Sequence, residues 1–170
     1  SADLNAQTFG GTLIVDVDVP TDAAADTAEI EIITGSGATT IAGTDFTADE
    51  TDRLDISVNA SQLAGTGESL ELLGDAEYRI INNSTTEVLQ LDLSQIDPGN
   101  TVELAGSGDF ELTGTAANVD ASALSGNVTV RTLSGDTDPT AITVTAGTGV
   151  TTVDAVDGND TVTLVATNLL

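Results

Sequence analysis

Residues 118–135 read NVDASALSGNVTVRTLSG. Two short alternating stretches, "NVD" running into "AS" and then "NVTVRT", are joined by small residues and carry none of the groups that usually do chemistry. Alternation with a period of two is the signature of a strand with one buried face, so Val119, Leu124, Val128 and Val130 are the expected core of this segment. Its outline is an aliphatic residue, Asp or Asn, a small or apolar residue, Ser, any residue, then Leu or Ile. That outline recurs as "VNASQL" from Val58 and "LDLSQI" from Leu91, with a fainter "VDAVDG" from Val153. Spacings of 33, 28 and 34 residues between these starts are too uneven for a strict array. A finer rhythm surrounds the stretch: Val102, Phe110, Val119 and Val128 lie eight or nine residues apart, and Val153 and Val162 nine. This is the step of a half-turn in a parallel β-solenoid, although a β-sandwich with regular turns produces a similar rhythm.

Working outward, the same alternation appears in "TLIVDVDV" (12–19), "AEIEII" (28–33), "RLDISV" (53–58), "SLELL" (69–73), "EYRII" (77–81) and "EVLQLDL" (87–93). It continues through "TVELA" (101–105), "DFELT" (109–113), "AITVT" (141–145), "GVTTVD" (149–154) and "DTVTLVA" (160–166). Enrichment in Val and Thr favours strands, and Gly, Asn and Asp punctuate them. The best short helical candidate is "DASALS" (120–125). The fold expected is all-β: a parallel β-solenoid or β-roll-like body over 88–170, with a β-sandwich-like or irregular cap over 1–87. A single β-sandwich and one continuous domain are the alternatives.

Composition narrows the function. Twenty-eight acidic residues face three arginines, Arg53, Arg79 and Arg131, for a net charge of -25. A nucleic acid or an anionic membrane surface is therefore a poor partner, because few cations exist to displace counterions. At 39% hydrophobic residues the chain is too apolar for a solvated acidic tail and is expected to fold, with salt or bound cations offsetting self-repulsion. There is no Cys, His or Lys. Thiol chemistry, imidazole general-base chemistry, Schiff-base chemistry and a phosphate-loop lysine are thereby excluded. Only 2% of residues are aromatic, which argues against a sugar-cleaving cleft built on aromatic platforms and makes a non-enzyme the expectation. No basic segment followed by an apolar one opens the chain, and no apolar run approaches 18 residues. The expectation is a soluble protein, either already processed, exported without an N-terminal signal, or never exported.

The phrases "VDASALSGNVTVRTLSG" and "TTVDAVDGNDTVTL" resemble the Thr-, Gly- and Asp-rich segments of bacterial surface-layer proteins and large repeats-in-toxin adhesins. The resemblance covers roughly residues 88–165. It implies parallel β-structure, calcium binding and assembly on the cell exterior. The calcium nonapeptide of those proteins is only partly present: Gly158, Asp160 and Val162 match its later positions, while Ala155 and Val156 stand where its first glycines belong.

Candidate calcium ligands follow from oxygen chemistry around tight turns. "DAVDGND" supplies Asp154, Asp157, Asn159 and Asp160, and "SGDTDP" supplies Asp136 and Asp138; both also read as plain turns. Asp45, Asp49, Glu50, Asp52 and Asp55 crowd a further acidic stretch. Sequons at Asn59, Asn82, Asn83, Asn127 and Asn159 point to an exported chain open to glycosylation. Thr143 with Thr145, and Thr161 with Thr163, form exposed Thr-x-Thr pairs, and the Gly-x-Gly elements at 35–37 and 147–149 read as loop punctuation. The expected function is a non-enzymatic extracellular structural subunit. It would assemble with itself, assisted by Ca2+, into a surface layer, sheath or matrix fibre. A virion head-decoration or tail component and an adhesin module that binds cell-surface glycan are the rival readings.

Overall fold

The computed structural model describes residues 2–18, 27–44, 53–132, 141–155 and 161–166. Its strands are β1 (Ala2–Asn5), β2 (Leu13–Asp18), β3 (Thr27–Ile33), β4 (Thr39–Thr44), β5 (Arg53–Asn59), β6 (Ser69–Gly74), β7 (Glu77–Asn82) and β8 (Val88–Ile96). They continue with β9 (Thr101–Gly106), β10 (Asp109–Thr115), β11 (Asn118–Leu124), β12 (Val128–Thr132), β13 (Ala141–Ala146), β14 (Thr151–Asp154) and β15 (Thr161–Ala166). The odd strands form one sheet in the order β1-β3-β5-β7-β9-β11-β13-β15, and the even strands form the other, β14-β12-β10-β8-β6-β4-β2. Neighbours in both sheets are parallel, as in Val119 beside Val102 and Phe110 beside Leu89 and Val128. The protein is a β-solenoid in which each coil gives one strand to each sheet.

The eight-to-nine-residue rhythm is the crossing from one sheet to the other. Val102 and Val119 lie in the odd sheet, Phe110 and Val128 in the even sheet, and all four are buried. Each strand turns its aliphatic set inward and its polar set outward, so the core is a column of stacked Val, Leu and Ile between two sheets. Tyr78 and Phe110 are the largest side chains within it.

The phrase "VDASAL" is a corner. Val119, Ala121 and Leu124 are buried at 1%, 0% and 2% exposure, and the Ser122 N–H donates to Asp120 Oδ1 at 2.9 Å. In "LDLSQI" the Ser94 N–H donates to Asp92 Oδ1 at 2.9 Å, and in "VNASQL" the Ser61 N–H donates to Asn59 Oδ1 at 3.3 Å. An Asx side chain closing onto the backbone two residues on is a turn in its own right. It lets two residues stay outside before the next apolar one returns to the core. The ladder register slips at Asp120 and again between Asp92 and Gln95, as a bulge requires. Residues 120–125 therefore bend within and just after β11 rather than wind into a helix.

Over residues 1–87 the structure departs from a sandwich-like or irregular cap. Strands β1 to β7 are parallel members of the same two sheets, and the ladders β7–β9 and β6–β8 pass across residue 87. Coil length explains why this half hides its rhythm. In-register partners are 31 residues apart at Thr39 and Leu70 but 17 apart at Val102 and Val119.

Candidate functional site

The topology sorts the connections into two kinds. Those from odd to even strands run along one edge of the solenoid, and those from even to odd strands along the other. The first edge holds ten of the seventeen glycines: Gly10, Gly11, Gly35, Gly37, Gly65, Gly67, Gly108, Gly126, Gly147 and Gly149. Its only carboxylates are Glu68 and Glu87. The sequence between even and odd strands contains twelve carboxylates, Asp22, Asp26, Asp45, Asp49, Glu50, Asp52, Asp75, Asp97, Asp136, Asp138, Asp157 and Asp160, of which Asp75 and Asp97 are described residues, both on the second edge.

The glycine edge is tight because backbone stacks on backbone. A Cβ at Gly126 would collide with the Gly108 carbonyl oxygen, and one at Gly149 with that of Gly126. The elements at 35–37 and 147–149 are thus stacking positions rather than loop punctuation. Asn82, fully buried, locks this edge: its Nδ2 donates to the Asp109 carbonyl at 2.9 Å and its Oδ1 accepts from the Ser84 N–H at 2.9 Å. The sequon at Asn82 is consequently a structural corner with its amide already used. Asn127 links coils in the same way, accepting from the Val150 N–H and lying against the Asp109 carboxylate.

On the carboxylate edge the short connections of the middle coils are pinned. The Tyr78 hydroxyl donates to the Leu73 carbonyl at 2.6 Å across residues 75–76. Burial of the phenol raises its pKa well above the usual tyrosine value, since the charged form would lose its hydration. Asn100 donates to the Asp75 carbonyl at 3.2 Å, and Asn118 to the Gly99 carbonyl at 3.1 Å, tying successive coils together.

Of the predicted calcium ligands, Asp154 ends β14 and is exposed. Its carboxylate lies 3.8 Å from Arg131 Nε, while Arg131 Nη1 meets Glu111 Oε1 at 2.7 Å. Asp136, Asp138, Asp157, Asn159 and Asp160 lie outside the described residues, as do Asp45, Asp49, Glu50 and Asp52. Their flanking strands nevertheless fix where these connections attach. The 133–140 and 155–160 connections leave from strands in which Arg131 is paired with Asp154, and return to strands in which Ala141 is paired with Thr161. They belong to consecutive coils, about 4.8 Å apart at their anchor points. Among the described residues, no group of three or more His, Cys, Asp or Glu side chains is placed to hold a metal ion.

Sequence reasoning missed a second acidic feature, the charge ladders on the outer faces. Asp3 is in register with Glu31 and Glu103 with Asp120 on the odd sheet, and Glu71 with Asp92 on the even sheet. Like charges directly opposite on neighbouring strands repel. Arg79 interrupts the odd-sheet row, pairing with Glu103 at 3.1 Å, an exposed contact worth at most about 1 kcal/mol. This row lines a shallow groove of about 680 Å³ that also includes Glu29, Glu77 and Thr101. On the same sheet Thr143 stacks on Thr163, but no threonine ladder extends inward: the Thr143 N–H instead donates to Asn118 Oδ1 at 2.8 Å. No helix among the described residues is long and apolar enough to cross a membrane. Comparison with known protein families, with curated proteins and with solved structures finds no match.

Proposed function

We propose that this chain is a non-enzymatic extracellular structural subunit that assembles with copies of itself, assisted by calcium, into a surface layer, sheath or matrix fibre. The observation that carries this reading is the sorting of charge by the fold. The sequence sets twelve carboxylates in the connections from even to odd strands, and among the described residues like charges stack in register on the outer faces of the two sheets. Isolated in water, such rows repel; divalent cations with oxygen ligands relieve that repulsion and can bridge carboxylates of neighbouring subunits. Asp136, Asp138, Asp157, Asn159 and Asp160 are the favoured ligands because their connections belong to consecutive coils, with Asp154 at the base of the second.

The test is light scattering with negative-stain electron microscopy on protein stripped with EDTA, then titrated with calcium or with sodium chloride of matched ionic strength. Ordered filaments or sheets with calcium alone are expected. Monomers in both salts would remove self-assembly as the function. Equal assembly in both would make the carboxylates a general salt adaptation rather than calcium ligands.

A further inference from the structure

We propose that Asn83 is an N-glycan attachment site, the one described sequon whose amide the fold leaves free, and that its glycan stands on the glycine edge of the solenoid. The inference rests on the extracellular part of the reading above and adds to it a covalent modification and an orientation.

Four sequons fall among the described residues, at Asn59, Asn82, Asn83 and Asn127, and the fold treats them differently. An acceptor has to offer its amide nitrogen to the sugar and the hydroxyl two residues on to the transferase, and the folded chain has to accommodate the product. Asn82 fails on both groups. Its side chain is buried with Nδ2 donating to the Asp109 carbonyl, and Ser84 Oγ accepts from the Glu87 N–H at 3.2 Å. Asn59 is half-buried, and the Ser61 hydroxyl that its sequon needs donates to Asn59 Oδ1 at 2.8 Å. Asn127 is exposed but bound between coils: Oδ1 accepts from the Val150 N–H at 2.9 Å, Nδ2 donates to Asp109 Oδ2 at 3.3 Å, and Thr129 is half-buried.

Asn83 differs in each respect. Its backbone N–H donates to Ser61 Oγ at 2.9 Å, which fixes the residue, yet the side chain is exposed and its amide makes no hydrogen bond to any described residue. The amide lies over Gly106, where a Cβ would come within 2.9 Å of Asn83 Oδ1, so the glycine keeps that space open. Thr85, two residues on, is exposed, and its hydroxyl is likewise unpartnered among the described residues.

In the transfer, Asn83 Nδ2 loses one proton and bonds the anomeric carbon of a sugar carried on a lipid phosphate or diphosphate. The bond from that carbon to the phosphate oxygen breaks, and the phosphate leaves with the bonding electrons. Such a donor is anionic, and the glycine edge, with only Glu68 and Glu87, repels it less than the acidic connections opposite. Once attached, the glycan covers the glycine edge with neutral hydroxyls and leaves the other side of the body for contact between copies.

The experiment recovers the chain and its variants from its source cells, separating the interior from the envelope and medium. It reads intact mass together with the peptide 78–87, released by cleavage after Glu77 and Glu87, whose fragmentation separates Asn82 from Asn83. The exported chain is expected to carry a sugar mass on Asn83, lost completely in Asn83→Gln and Thr85→Ala and retained in Thr85→Ser. Melting midpoints should stay nearly unchanged, since neither side chain has a partner to lose, so a lost mass is not a lost fold. An exported chain without sugar, or with sugar on Asn59, Asn82 or Asn127 in place of Asn83, would overturn the inference and leave the extracellular reading standing. A chain confined to the cell interior and unmodified would overturn both.

Discussion

The two edges of the solenoid differ in what they allow. Along the glycine edge, connections run from two residues at 107–108 to nine at 60–68, and at Gly35, Gly37, Gly108, Gly126, Gly147 and Gly149 coil stacks on coil without room for a side chain. Between even and odd strands, connections of two residues at 75–76 and 116–117 and four at 97–100 contrast with stretches of six at 155–160 and eight at 19–26, 45–52 and 133–140. A solenoid needs one edge to keep its coils in register; with stacked glycine backbone doing so on one side, the connections on the other are free to carry charge. Structure and proposed function are thus divided between opposite sides of one body.

The largest effect is expected where a side chain is put into stacked backbone. Gly126→Val drives carbons into the Gly108 carbonyl and should cost about 3 kcal/mol, seen as a large fall in the urea midpoint. Next, Asn82→Ala strands the Ser84 N–H and the Asp109 carbonyl and should cost about 2 kcal/mol in the same assay.

Smaller effects belong to the carboxylate edge. Tyr78→Phe removes one buried hydrogen bond, for a loss of about 1 kcal/mol at neutral pH. It also tests a pH dependence with a definite sign. The folded phenol holds its proton more tightly than the unfolded one, so this contribution is intact below about pH 10 and falls as pH rises beyond it. The variant should have a flatter alkaline limb, and an unchanged limb would show that Tyr78 is not the group responsible. Smallest of all, two extra residues inserted between Gly135 and Asp136 should cost no more than about 0.6 kcal/mol, since loop entropy grows slowly with length. Should the insertion destabilise as much as Gly126→Val, the division between a fixed and a free edge collapses.

Much of the fold was legible from residues 88 onward, because short connections leave the eight-to-nine-residue rhythm visible. It was obscured upstream by the long acidic connections, and also by particular substitutions within strands. In β4, Gly43 stands where an apolar residue would mark the inward face, because Ile56, Ala76 and Tyr78 already fill the space a Cβ would need. β1 has only four residues, too few for alternation to register. The Asx-Ser phrase was visible as a recurrence, yet its meaning as a corner emerged only from the Asp92, Asn59 and Asp120 side chains closing on their own backbone. Asp154 was identifiable as an acidic residue beside a turn, but its closeness to Arg131 was not, since the two are joined by register rather than by sequence.

By itself the sequence determined the secondary structure and its inward face, because a period of two is a property of neighbouring residues along one chain. The missing histidine, cysteine and lysine equally settled which chemistries are closed to it. Only the tertiary structure decided which strand lies beside which. That neighbour is 17 to 31 residues away, and connections of unequal length set the distance. Stacking then brought scattered glycines to one edge, since coils in parallel register carry equivalent connections to the same side.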